Sequence, residues 1–345
     1  MERWQFLKEN QQARDMLIRA AAIRAAIRQW FINQGFLEVN TPSLVRAAGQ
    51  EPYLDPFEVA VRDERGNKTP GFLVTSPEYA LKKLLVAGFP KIFSLASAFR
   101  NNEPADEFHN PEFTMLEWYR AGSDYRGIME DTEQLVSSLA RTFHSTGCKT
   151  HRAFNFSAPW ERLTVAEAFL RHANIDLDEI IGELSDFAGV AGRFRDVLQK
   201  RGERVRGDET FDECFFKIFL TYIEQKLGRG KPTFLYDYPA SMASLARLKK
   251  EDTRYAERVE VYIEGVELAN GFSELCDENE QRSRFLEEQE IRLREGKAVH
   301  PIDESFLAAL GSGMPESSGI ALGVDRLIML LLDAKSIRDV LFFPW

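Results

Sequence analysis

The sequence predicts an α+β protein in which an antiparallel sheet is flanked by helices. Three observations carry that expectation. An amphipathic pattern runs over residues 10–34. Short apolar strands recur far apart, before and after the middle of the chain. Between them, about 150–230, the pattern turns mainly helical. We read the 345 residues as one catalytic-type domain holding that helical stretch as an insertion, with 44% hydrophobic and 28% charged residues excluding a disordered chain.

The first helix is marked by Met16, Ala20, Ile23, Ile27, Trp30 and Phe31 at helical spacing, with Arg19, Arg24 and Arg28 off the stripe and Gly35 as a stop. A strand over 36–39 follows and ends at Pro42. After a strand over 72–75, Ser76 is the expected N-cap and Pro77 the first helical residue of a helix carrying Leu81, Leu84 and Leu85. Strands over 92–101 and 112–119 flank a polar loop, and Ile128, Leu135, Leu139 and Phe143 mark a helix over 124–144. In the insertion, Thr164 and Glu167 form a capping box, and residues 211–227 read as a helix ended by Gly228. Strands then return over 233–238, 258–263, 266–270 and 319–324, the last running into an apolar helix over 327–332.

Composition excludes several functions. No stretch of 18 apolar residues occurs, and the start lacks a signal-peptide core, so a cytoplasmic protein without membrane contact is expected. A net charge of −10 argues against a basic nucleic-acid binder, although Lys82, Lys83 and Lys91 are candidates for a local basic patch. Cys148, Cys214 and Cys276 are spaced too widely for a zinc knuckle and read as buried thiols. Gly228-Arg229-Gly230-Lys231 lacks the spacing of a phosphate loop and precedes a strand.

Three segments carry the chemistry. On a strand, Phe113, Glu117 and Tyr119 share one face: a ring to stack, a charge for an amine, and a hydroxyl to orient it, with a plain sheet surface as the alternative. Glu267 and Glu274, with Asn270 between them, suit Mg²⁺ coordination or else form a solvated acidic strand. In 319–326, small residues permit close ligand approach, and Arg326 opens a helix where it meets phosphate oxygens.

Together these segments resemble class II aminoacyl-tRNA synthetases. The helix with residues 35–42 resembles motif 1, the dimer-forming element; Arg100 through Tyr119 resembles motif 2, and Gly319 through Arg326 motif 3. Thr75-Ser76-Pro77-Glu78, His109-Asn110-Pro111-Glu112-Phe113 and Asn270-Gly271-Phe272-Ser273-Glu274 look lysyl-type. Motif 1 begins almost at residue 10, leaving no room for the anticodon-binding OB-fold domain of lysyl-tRNA synthetases. The chain is therefore similar to the paralogous elongation factor P–lysine ligases. Tyr238-Pro239-Ala240-Ser241-Met242-Ala243-Ser244-Leu245 and the motif 3 Ala321 support the paralogue, whereas the tail Ile337-Arg338-Asp339-Val340 resembles ordinary synthetases.

The resemblance implies ATP-dependent activation of lysine or (R)-β-lysine, with Mg²⁺, and transfer to a lysine side chain of elongation factor P. It also implies a homodimer through the motif 1 region and no anticodon binding. Arg100 would hold the α-phosphate and Arg326 the γ-phosphate. Glu103, His109, Asn110, Phe113, Leu268 and Gly323 would complete the ATP site, Phe113 stacking on the base. Glu103 keeps its place counted from His109, although one residue more than usual separates it from Arg100. Ser76, Glu78, Glu117, Tyr119, Asn270, Glu274 and Ala321 would form the amino-acid pocket, with Glu267 and Glu274 organising the metal. A truncated tRNA-charging enzyme and a non-catalytic lysine or nucleotide sensor are the alternatives.

Overall fold

A computed structural model describes residues 2–104, 106–143, 154–182 and 187–345. In chain order, α1 (Arg3–Glu9) and α2 (Gln11–Asn33) precede β1 (Leu37–Glu38), β2 (Leu44–Val45), β3 (Glu58–Arg62) and β4 (Lys68–Leu73). Then come α3 (Glu78–Val86), β5 (Lys91–Phe99), β6 (Glu112–Ala121) and α4 (Tyr125–Phe143). The middle of the chain forms β7 (Glu161–Thr164), α5 (Val165–Ala173), α6 (Leu177–Ile181), α7 (Phe187–Lys200), α8 (Phe211–Ile218), β8 (Thr233–Pro239), β9 (Tyr255–Ile263) and β10 (Val266–Ser273). It ends with α9 (Glu278–Arg294), α10 (Glu304–Gly311), β11 (Ser317–Gly323) and α11 (Val324–Leu331). Two units result: Met1–His151 with Glu274–Trp345, and Arg152–Ser273.

In the first unit β1, β5, β6 and β11 lie side by side, β1 parallel to β5 and the other pairs antiparallel. A separate three-stranded sheet runs β2-β4-β3. The α2 stripe buries Leu17, Ala20, Ile23, Ile27 and Phe31, leaving Met16 and Trp30 outside the buried set at its margins. Phe31 stacks on Phe93 of β5 at 4.7 Å and meets Trp118 of β6 at 5.2 Å between ring centres. That contact seats α2 on the sheet face opposite Glu117 and Tyr119, because side chains alternate along a strand. Arg24 is no surface charge: its guanidinium pairs at 2.6 Å with Asp325 of α11, which is almost fully buried. The other oxygen of Asp325 accepts the Thr114 N–H at 2.7 Å. One carboxylate thus ties the first helix, the motif 2 strand and the motif 3 helix together.

The second unit carries β7-β8-β9-β10 in that spatial order, β7 parallel to β8 and the rest antiparallel. Its helices pack a phenylalanine-rich core, with Phe215 at 4.7 Å from Phe169 and 5.7 Å from Phe219. The Thr164–Glu167 capping box forms as expected at the start of α5. The single helix expected over 211–227 instead changes pitch: α8 stops at Ile218, a π-turn spans Phe219–Ile223, and a 3₁₀ turn spans Glu224–Lys226. Gly228 has φ +67°, and a Cβ there would lie 2.3 Å from the Tyr262 carbonyl oxygen, so the turn requires glycine. Cys214 is buried, and burial pushes its thiol up to about 11; Cys276 is half-buried, and Cys148 lies outside the described residues. Among the described residues no helix is long and apolar enough to cross a membrane.

Candidate active site

The residues expected to form the amino-acid pocket come together at the start of α3 and on the neighbouring strands β6 and β11. Pro77 sits just before the helix instead of opening it, and the Ser76 hydroxyl accepts the Glu78 N–H at 3.1 Å. Ser76 also donates to Glu117 Oε1 at 2.5 Å, while the Tyr119 hydroxyl donates to Glu117 Oε2 at 3.2 Å. Both oxygens of a carboxylate that is only 1% exposed are therefore held by hydroxyls. Glu274, equally buried, enters through Lys82, whose ammonium lies 2.5 Å from Glu274 Oε2 and 2.6 Å from Glu78 Oε1. Antiparallel register sets Ala321 opposite Glu117 and Gly319 opposite Tyr119, so the side chains of each pair share a face. A Cβ on Gly319 would lie 2.2 Å from the Tyr119 ring and 2.8 Å from Glu274 Oε1. The glycine keeps both groups close to the strand.

Burial dominates the electrostatics. It pushes the Glu117 carboxyl up to about 8, with Glu78 adding repulsion and the two hydroxyls opposing the shift. Burial likewise pushes Glu274 up to about 8, against the pull of Lys82. Burial also works against the charge on Lys82, yet Glu274 and Glu78 outweigh it and hold the amine protonated. Farther out, Glu51 and Glu288 are raised by burial as well, Glu288 to about 8. A buried pocket this rich in carboxylates suits a ligand that brings ammonium groups.

The expected nucleotide residues of this unit fall into two groups. Arg100 follows β5 and lies with its guanidinium 5.2 Å above the Phe113 ring. Its Nε is buried without a hydrogen-bond partner. The extra residue between Arg100 and Glu103 is absorbed by Asn102, which adopts φ +57° and donates to Asp55 at 2.9 Å. In the second group Arg326, on the first turn of α11, donates to His109 Nε2 at 2.9 Å. His109 is thereby the tautomer that donates from Nδ1 to Asp106, at 2.7 Å. Glu103 Oε2 lies 3.6 Å from the same imidazole. Asn110 is engaged in framing the loop: its amide donates to the Glu112 carbonyl at 2.6 Å and its oxygen accepts the Trp345 N–H at 2.8 Å. Gly323 precedes α11, where a Cβ would make only ordinary contacts with the Arg326 side chain.

Glu267, Leu268 and Asn270 belong to β10 of the second unit. Glu267 sits at a register shift opposite Tyr262, Leu268 is buried, and Asn270 Oδ1 is buried without a hydrogen-bond partner. Among the described residues no cluster of three or more His, Cys, Asp or Glu side chains is arranged to hold a metal ion.

Three features escape sequence reasoning. Lys82, Lys83 and Lys91 form no basic patch: Lys82 is buried in the acidic pocket, Lys83 pairs with Asp303 at 2.7 Å, and Lys91 donates to the Gln34 carbonyl at 2.6 Å. The Glu78–Lys82 spacing of four residues is the available signal for the first. The Arg24–Asp325 pair and the buried Glu51 carry no local signal.

Residues 2–345 match the family model of class II tRNA synthetases (D, K and N), and the chain belongs to that family. Its architecture is the class II α+β catalytic fold. Among curated relatives, the chain is 41% identical over 329 residues to the elongation factor P--(R)-beta-lysine ligase of Pectobacterium atrosepticum, covering 95% of this chain and 94% of that one. It is 40% identical over 331 residues to the ligases of the same name from Yersinia pestis and Yersinia pseudotuberculosis, again covering 95% and 94%.

Proposed function

We propose that the chain is an ATP-dependent ligase that activates a lysine-type diamino acid, (R)-β-lysine by preference, and transfers it to a lysine side chain of elongation factor P in the cytoplasm. The observation that carries the substrate class is the trio of buried Glu117, buried Glu274 and half-buried Glu78, of which Glu78 and Glu274 already hold an ammonium, that of Lys82. The names of the relatives support the β isomer and the acceptor.

In the first step the substrate carboxylate, ionised at neutral pH, attacks the α-phosphorus of ATP, and the bond to the β-phosphate breaks with release of pyrophosphate. Positioning and charge neutralisation supply most of the rate. Arg100 meets the α-phosphate and Arg326 the γ-phosphate, with Phe113 stacking on adenine. Glu103, His109, Asn110 and Gly323 line the remaining nucleotide site, to which the motif resemblance adds Leu268. Glu78 and Glu117 hold the amine nearer the carboxylate; Tyr119 and Glu274 hold the distal ammonium, with Ser76 and Ala321 shaping the pocket, to which the motif resemblance adds Asn270. Glu267 and Glu274 offer hard oxygen ligands for Mg²⁺, which would neutralise phosphate charge when bound. In the second step the acceptor amine attacks the acyl carbon, the bond to AMP breaks, and the amine gives up a proton. We also assign a homodimer through the α2 region, where Ile18 and Ile32 stand exposed.

The test is amino-acid-dependent exchange of pyrophosphate into ATP, followed by acyl transfer to elongation factor P or to tRNA. Exchange with either lysine isomer and no nucleic acid, then labelling of elongation factor P alone, is expected. Labelling of tRNA, or exchange that requires it, would overturn the protein-acceptor reading, and absence of exchange would leave a non-catalytic binder.

A further inference from the structure

The cation already inside the pocket has a role of its own. Lys82 is 1% exposed, and its ammonium is held by two carboxylates from different parts of the chain. Glu78 and Lys82 stand one turn apart on α3, so their pairing is built into the helix. Glu274 follows β10, and its Oε1 comes close to the bare backbone of Gly319 in β11, where a Cβ would lie 2.8 Å away. Nothing in this arrangement is exposed enough for Lys82 to serve as a surface charge. Burying an ammonium is costly unless its partners are well placed, and here they are.

The charges around it can be counted. With all three ionised, the form that arriving ammonium groups favour, Glu78, Glu117 and Glu274 bring three negative charges and Lys82 one positive, leaving a deficit of two. A lysine-type substrate brings two ammonium groups. Geometry reinforces the count, because Lys82 takes Oε1 of Glu78 and Oε2 of Glu274. A ligand therefore meets the remaining oxygen of each, and the two carboxylates cannot turn toward each other.

We propose that Lys82 is a specificity-determining positioning residue: an internal counter-cation that fits the pocket to a substrate bearing two ammonium groups and fixes the carboxylates that receive them. The inference rests on the lysine-type substrate proposed above. It places Lys82 outside the reacting atoms, so its loss acts on recognition and not on the chemistry of the phosphates.

Pyrophosphate exchange with L-lysine, (R)-β-lysine and norleucine, which lacks the distal ammonium, tests it in wild type, Lys82→Met and Lys82→Arg. A buried site built for a polar group rejects the analogue without it strongly, so wild type should favour the diamino acid by at least about 10³ in kcat/KM. In Lys82→Met that ratio should fall at least about tenfold, through the KM of the diamino acid, with the KM of ATP unchanged. Lys82→Arg keeps the charge and should keep the ratio within about threefold. A purely structural role would lower activity with every amino acid and leave the ratio alone, and that result in Lys82→Met overturns the inference. Should Lys82→Met fail to fold, the structure of the wild type with a bound diamino acid decides: Lys82 Nζ remaining between Glu78 and Glu274 supports it, and displacement by the substrate overturns it. Absence of diamino-acid exchange in wild type would instead count against the proposed function.

Discussion

With its carboxyl raised by burial, Glu117 is expected to make binding of the proposed diamino acid a proton-releasing event. Burial, with Glu78 close by, puts this group at about 8 in the empty site. At pH 7 it therefore carries about 0.9 of a proton. An arriving ammonium favours the ionised form and drives that proton off. If the bound form is fully ionised, affinity for the diamino acid tightens about fiftyfold between pH 6 and pH 8. The charged or titratable groups facing Glu117 are Glu78, Lys82 and Tyr119, and burial drives the Tyr119 hydroxyl well above 10, so it does not titrate in this range. Stability moves the opposite way to affinity. A folded-state value above the ordinary 4.5 means that the folded protein binds more protons, so its contribution is complete below 4.5 and is lost as pH rises to about 8. Glu117→Gln keeps an acceptor for one hydroxyl and removes the Glu117 share of both slopes, leaving that of Glu274, which burial also raises to about 8. It should also weaken binding by about 2–5 kcal/mol, the usual cost of truncating one partner of a buried charge pair. Calorimetry at pH 7 in two buffers of different ionisation enthalpy counts the proton directly. Equal heats in both buffers for wild type, or the same pH slope in Glu117→Gln, would refute the reasoning.

Three further outcomes follow from the same geometry. Gly319→Ala drives a methyl into Tyr119, which is 3% exposed and has no room to retreat; we expect about 1–3 kcal/mol of destabilisation in a thermal or denaturant melt and about a tenfold higher KM for the amino acid, with the KM of ATP unchanged. Arg100→Ala and Arg326→Ala should each slow pyrophosphate exchange by about 10²–10³ while leaving the melting temperature near wild type; exchange within about fivefold of wild type would show the phosphates bind elsewhere. Ala321→Gly removes the methyl opposite Glu117 and should shift the kcat/KM ratio of (R)-β-lysine to L-lysine toward lysine by about tenfold, the low end of a methylene-scale effect.

How much of the molecule is legible in its sequence follows from how each signal arises. Periodic burial is local, so α2, α4, β5, β6 and the capping box at Thr164 are legible, as is the face shared by Glu117 and Tyr119. Elements whose burial depends on a partner far along the chain are not. Among the described residues, the short strands β2 and β3 pair only with β4, and α9 is so polar that just Gln281, Phe285 and Arg292 are buried. Charged residues mislead most. A lysine in sequence reads as solvent-facing, and Lys82 groups with Lys83 and Lys91 for that reason. Its true setting depends on Glu274, almost two hundred residues away, and no local pattern reports such a distance. The same holds for Arg24 and Asp325, separated by most of the chain yet joined at 2.6 Å. Both pairs share a physical logic: a buried charge survives only where its partner is fixed by the tertiary fold. The acidic residues of the motifs are legible because the motif patterns carry them, whereas the cation that sits among them is dictated by the fold alone. A site assembled from motifs by sequence is thus expected to come out too strongly charged, and here the missing positive charge lies one helical turn from the first glutamate.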